Sequence, residues 1–138
     1  METFPFKLVT PTGILLEGAV EQVTAVGPLG EFGVLAEHIN LITSLVPGLM
    51  TIKVSDSLSE EYLLSGGLVE VKDGVMTALA QTAELPRNVA PVPVAEIEAA
   101  EEKLSQMSTY DPDYPEVAQA VAMLRARQLV AESPRPAH

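Results

Sequence analysis

The 138-residue chain sets nineteen carboxylates against eight lysines and arginines, a net charge of -11, which excludes a phosphate-backbone binder and points to a basic or neutral partner surface. It has no cysteine and no tryptophan, so disulfides, thiolate zinc sites and cysteine nucleophiles are excluded and stacking platforms are scarce. An apolar fraction of 47%, mostly aliphatic, suits one packed domain of about 85 to 90 residues with an appendage.

Residues 4–10 (FPFKLVT) alternate as a strand does, and Pro11, Thr12 and Gly13 turn the chain into a second strand at 14–17, which predicts a hairpin. Residues 20–26 read as a third strand, broken by Gly27, Pro28 and Gly30. The stretch 30–48 (GEFGVLAEHINLITSLVPG) suits short buried strands joined by tight turns, with Glu31, Glu37 and His38 on the turns. From Gly48, Leu49, Thr51 and Lys53 share one face and Met50, Ile52 and Val54 the other, the period of a strand buried on one side.

Residues 55–59 turn, 61–65 return as a strand, Gly66 and Gly67 bend the chain, and 68–71 lead to an Asp73-Gly74 hairpin closed by 75–82. The expectation is an all-β N-terminal domain, an antiparallel sandwich of about eight to ten short strands, over residues 1–86. Pro86, Pro91 and Pro93 then mark a linker at 87–93. Beyond it the period is helical. Val94, Ile97, Ala100, Leu104 and Met107 form one stripe and Val117, Val121 and Leu124 a second, with Asp111 or Asp113 as the cap between them and small alanines allowing close approach. Residues 94–138 therefore predict an antiparallel two-helix hairpin whose end, 133–138, frays. Helices of this length need a surface to bury against, which makes the hairpin the movable part.

No constellation carries chemistry. His38 is the single histidine in the expected folded region, and Ser44 and Ser65 lie in no Gly-x-Ser-x-Gly elbow, so no catalytic residue is assigned. Glu37 and His38 are adjacent rather than spaced as metal ligands, and His138 is on the tail. Gly66 and Gly67 lack both a Gly-Lys-Ser/Thr and a following helix, so they read as a bend rather than a phosphate loop. No run approaches 18 apolar residues and METFPFK has no apolar signal region, so the expectation is a soluble cytoplasmic protein that meets a membrane only through another protein.

Gly30, Glu31, Phe32, Gly33, Val34, Leu35, His38, Leu45, Pro47 and Gly48 resemble the central motif of the epsilon subunits of bacterial F-type ATP synthases. Leu64, Ser65, Gly66, Gly67, Leu68, Val69, Glu70 and Val71 resemble that family's second signature, a Ser-Gly-Gly turn followed by an alternating strand. Asp111, Pro112, Asp113 and Tyr114, then Leu124, Arg125 and Leu129, resemble its second helix. The resemblance implies a non-catalytic rotor subunit of the central stalk, held between the gamma subunit and the c-ring at the cytoplasmic face of the inner membrane. Such a subunit couples proton-driven rotation to ATP synthesis from ADP and phosphate on other subunits.

It further implies that Glu31 and His38 meet the polar loops of the c-ring, and that Arg125 and Arg127 meet the beta subunit if the hairpin reaches the alpha/beta head. Two departures qualify this. The family's nucleotide motif, with its Arg, has no counterpart at 89–94, and in the shifted register Glu101 replaces the Arg, so no ATP site and no cofactor are expected. Residues 94–138 also carry four basic against eight acidic residues, which opposes docking on an acidic segment and predicts weak inhibition of ATP hydrolysis. The alternative is a free-standing sandwich adaptor or ligand-binding module with the hairpin as a lid.

Overall fold

Ten strands and two α-helices make up the computed structural model, which describes residues 2–132. The chain divides into two compact units, Met1–Leu85 and Pro86–His138.

In the first unit, β1 (Phe4–Thr10) and β2 (Gly13–Val20) form the expected hairpin, with a bulge at Leu8/Val9. There follow β3 (Gln22–Gly27), β4 (Gly30–Leu35), β5 (Leu41–Leu45), β6 (Gly48–Lys53), β7 (Ser59–Leu64), β8 (Gly67–Lys72), β9 (Val75–Ala80) and the two-residue β10 (Ala83–Glu84). They build two five-stranded sheets, ordered β2-β1-β9-β8-β5 and β10-β7-β6-β3-β4. This is the predicted sandwich with one departure: β1 and β9 run parallel.

The period-two patterns decide which face is buried. Phe4, Phe6 and Leu8 of β1, Met50 and Ile52 of β6, Val69 and Val71 of β8 and Met76, Ala78 and Ala80 of β9 point into the space between the sheets. Each large aliphatic or aromatic side chain so buried contributes roughly 1.5–3 kcal/mol. The β8–β9 turn has Asp73 at φ 50° and Gly74 at φ 81°, the mirror-image geometry that matches strand twist. Asn40 Oδ1 accepts the Asp73 N–H at 2.9 Å, tying that turn to the segment before β5.

Three expectations are corrected. Val20 closes β2 rather than opening β3, because the chain bends at Glu21, whose N–H donates to Lys53 O at 2.8 Å. Glu31 is the second residue of β4 and not a turn residue. The stretch 30–48 is not a set of buried strands: Val34 and Leu45 are buried, but Leu35 and Ile42 fall in the outward phase of β4 and β5 and Ile39 lies in the loop between them, so all three are exposed.

The bend at Glu21 carries a cost of its own. Its side chain is 11% exposed, and its Oε1 is buried and makes no hydrogen bond, yet lies 3.7 Å from Lys53 Nζ; Lys53 also reaches Asp56 at 3.5 Å. At 3.7 Å the contact is an ion pair and not a hydrogen bond. Replacing Lys53 with Met leaves the carboxylate without its countercharge. The expected loss is about 2 kcal/mol in urea unfolding, below the full penalty of a buried pair because Lys53 is itself one-third exposed. Adding Glu21→Gln should restore most of it, and a loss under about 0.5 kcal/mol would show that solvent already stabilises Glu21.

The second unit holds a short 3-10 turn (Pro86–Asn88), α1 (Val94–Ser105) and α2 (Tyr114–Glu132). Pro93 precedes α1 in an extended conformation, ψ 134°, and starts the helix without a side-chain cap. Asp111 Oδ1 accepts the Asp113 N–H at 2.9 Å in the connection, so of the two candidate caps it is Asp111 that organises the turn. Ile97 is buried and Ala100, Leu104 and Met107 are half-buried as the stripe predicts, whereas Val94 is exposed in the first turn. In α2, Val121, Ala126 and Val130 are buried. Residues 121 and 130 lie roughly 180° apart at 100° per residue, so this helix is apolar on two sides rather than along one stripe. The predicted fraying at 133–138, and His138, lie outside the described residues.

Candidate functional site

Strands β4 and β5 end their respective sheets and follow one another in the chain, so residues 30–45 form one margin of the sandwich. Edge strands expose unpaired backbone groups. Large aliphatics are exposed along this margin too: Leu29 in the β3–β4 turn is fully exposed, Ile39 in the β4–β5 loop is 79% exposed and Ile42 on β5 67%, more than a lone surface residue explains.

Glu31 is exposed and opposite Val26, beside the β3–β4 turn, while His38 follows the far end of β4. Leu35 lies four positions beyond Glu31 along the strand, roughly 13 Å. The two groups therefore do not sit side by side on one projecting turn; they mark the two ends of an edge. His38 is held by its own backbone, its N–H donating to Leu35 O at 3.3 Å and Nδ1 lying 2.7 Å from Ile39 O. In the neutral ring that contact puts the proton on Nδ1 and leaves Nε2 as an acceptor. Glu37, beside it, adopts φ 65°, a left-handed conformation that tightens the loop.

A second surface includes Leu68, from the segment 64–71 that resembles the family's second signature, but its other members are brought together only by the fold. Register places Ile14, Val9, Leu79, Leu68 and Ser44 in one row across all five strands of the β2-β1-β9-β8-β5 sheet, on its outer face. Ile14 is 56% exposed, Leu79 47% and Leu68 42%, and Ile42 lies on the same face of β5. On β1 and β2 the next outward pair is Lys7 and Glu17, joined at 3.6 Å. The signal was present: in 75–79 (VMTAL) both phases of the alternation contain aliphatics, as expected of a strand covered on both faces.

In the hairpin, Arg125 is engaged. Its Nη2 lies 2.9 Å from Glu101 Oε2 and its Nε donates to Glu101 Oε1 at 3.2 Å, a side-on bidentate contact joining α2 to α1. The bond holds the Glu101 carboxyl below its ordinary value and raises Arg125. Arg127 is half-buried, and two residues on from Arg125 it is roughly 200° further round the helix, so the two cations do not form one patch. Glu101, noted in the sequence only as standing where the family's nucleotide motif has Arg, is the partner that spacing alone does not name. Burial and the nearby Glu60 raise Tyr62. Among the described residues no group of three or more His, Asp or Glu could hold a metal ion, and no helix is long and apolar enough to cross a membrane.

Comparison with known proteins points one way. Residues 3–86 match the family model described as ATP synthase, Delta/Epsilon chain, beta-sandwich domain. An ATP synthase epsilon chain of Afipia carboxidovorans is 45% identical over 83 residues, 60% of this chain and 60% of that one. One from a Bradyrhizobium strain is 36% identical over 107 residues, 77% of this chain and 78% of that one. The matched segment spans only 60% and 64% of the Afipia and Nitratiruptor chains. Among solved structures, a chain of the Euglena gracilis mitochondrial ATP synthase has a TM-score of 0.69 at 22% identity, covering 90% of this chain and 78% of that one. A chain from the central stalk and c-ring of the Tetrahymena thermophila enzyme has a TM-score of 0.68 at 14% identity, covering 94% and 97%. Both share the fold.

Proposed function

Because the chain belongs to the delta/epsilon family of ATP synthase subunits, we propose that it serves as the epsilon subunit of a bacterial F-type enzyme, a non-catalytic part of the rotor. It transmits rotation of the c-ring to the head where other subunits make ATP from ADP and phosphate, and it sits at the cytoplasmic face of the inner membrane through that complex. The aliphatic row of Ile14, Leu79 and Leu68, all exposed, with the half-buried Val9 between them, carries the reading, since an apolar face that crosses several strands on the surface of an acidic chain marks a place for a partner.

The gamma subunit is the partner for that row. The c-ring meets the other surface, along the β4–β5 margin, with Glu31 and His38 as its two polar ends, so that charge-assisted bonds fix orientation at two points rather than one. Arg125 and Arg127 are the residues through which the hairpin meets the beta subunit, and their separation around α2 keeps that contact weak. Affinity purification of the tagged full chain from its own cells is expected to bring down gamma at near one to one. Recovery of the chain with no rotor subunit would overturn the proposal in favour of a free-standing adaptor.

A further inference from the structure

The loop between β4 and β5, residues 36–40, carries His38 with little to hold it. None of its residues is buried, and only Ala36 packs on the core. The contacts of His38 with Leu35 O and Ile39 O are local. One hydrogen bond reaches out of the loop: Asn40 Oδ1 accepts the N–H of Asp73, 33 residues on, at 2.9 Å. That donor is available because Lys72 and Val75 close the β8–β9 hairpin and leave the first turn residue without a ladder partner. The bond also joins two strained turns. Glu37 at φ 65° and Asp73 at φ 50° are the two non-glycine residues with positive φ among the described residues, and such conformations persist where neighbouring contacts fix them.

We infer that Asn40 is a positioning residue for the c-ring contact: it pins the loop that carries His38 to the β8–β9 hairpin, whose Leu68 and Leu79 belong to the aliphatic row. This role rests on the reading that the β4–β5 margin meets the c-ring. Pairing of β5 with β8 already fixes residues 41–45, and the Asn40 bond extends that fixed geometry back towards His38. A loop ordered before binding loses less conformational entropy when a partner closes on it. The imidazole and the aliphatic row are thereby held in one geometry, as a part gripped at two surfaces requires.

Asn40→Ala in the full chain removes the acceptor, and Asn40→Asp keeps one. In the isolated chain, exchange of the Asp73 amide followed by NMR should rise about threefold to tenfold in Asn40→Ala, the range for one exposed hydrogen bond, and return towards wild type in Asn40→Asp. The complex of gamma with Asn40→Ala should bind the c-ring more weakly by up to the same factor. Gamma binding itself should stay unchanged, because the aliphatic row is untouched, and Asn40→Asp should again behave as wild type. An Asp73 amide that exchanges alike in wild type and Asn40→Ala overturns the pin. Faster exchange with unchanged c-ring affinity overturns the positioning role, as does an Asn40→Asp chain no better than Asn40→Ala. A wild-type gamma complex that does not bind the c-ring overturns the reading of the margin instead, and the exchange data, taken on the chain alone, tell the two failures apart.

Discussion

Gly67→Ala is expected to be among the most damaging single changes in the sandwich, costing at least about 3 kcal/mol. Gly67 begins β8 at φ 152°, a conformation that side-chain-bearing residues rarely adopt, and a Cβ there would run into the carbonyl oxygen of Leu79 on β9. The obstacle is backbone in a paired strand. It can retreat only by breaking the register that sets Gly67 opposite Ala80 and Leu68 opposite Leu79. For a unit of this size the loss corresponds to a fall of roughly 15 °C in Tm. Gly13→Ala separates the two causes, because Gly13 also has a positive φ, 131°, but nothing lies within 4 Å of its added Cβ. It should lose only the conformational part, about 1–2 kcal/mol. Equal losses for the two variants would show that the close approach to Leu79 contributes nothing.

Gly67 also shows what the sequence makes legible. A Gly-Gly pair before an alternating segment announces a bend, and the Asp73-Gly74 pair announces the turn that returns the chain, so strand order through β8 and β9 can be read directly. Turn chemistry and period two are local properties, and most strands follow from them. What a strand lies beside is not local. The sequence does not state that β1 pairs with β9 in parallel, since nothing in FPFKLVT names a partner some 70 residues away.

Which phase of a strand faces outward is hidden for the same reason. Leu35, Ile39 and Ile42 read as core because they are aliphatic, yet Leu35 and Ile42 fall in the outward phase of β4 and β5 and Ile39 lies in the loop between them. The site residues divide similarly. Glu31 and His38 are visible as polar residues in an apolar stretch, but their separation along β4 depends on Glu31 lying in the strand. Arg125 is visible as a cation, while its pairing with Glu101 depends on how α1 and α2 come together.

Leu68→Glu/Leu79→Glu should abolish recovery of gamma with the tagged chain while leaving the chain folded. Both side chains are on the outer face and about half exposed, so the free protein loses little packing and its Tm should stay within about 3 °C of wild type. In the complex the balance reverses. Two leucines that would complete their burial against a partner each forfeit roughly 1 kcal/mol, and two carboxylates would have to be desolvated in their place, a cost of several kcal/mol unless the partner supplies cations. A total of at least about 3 kcal/mol weakens binding more than 100-fold. Net charge alone does not account for this. Ser57→Glu/Ser59→Glu adds the same two charges at exposed positions of the β6–β7 hairpin, in the other sheet, and should recover gamma as the wild type does. Retained gamma in the Leu68/Leu79 variant would remove the aliphatic row from the interface and leave the β4–β5 margin as the one surface able to hold the rotor.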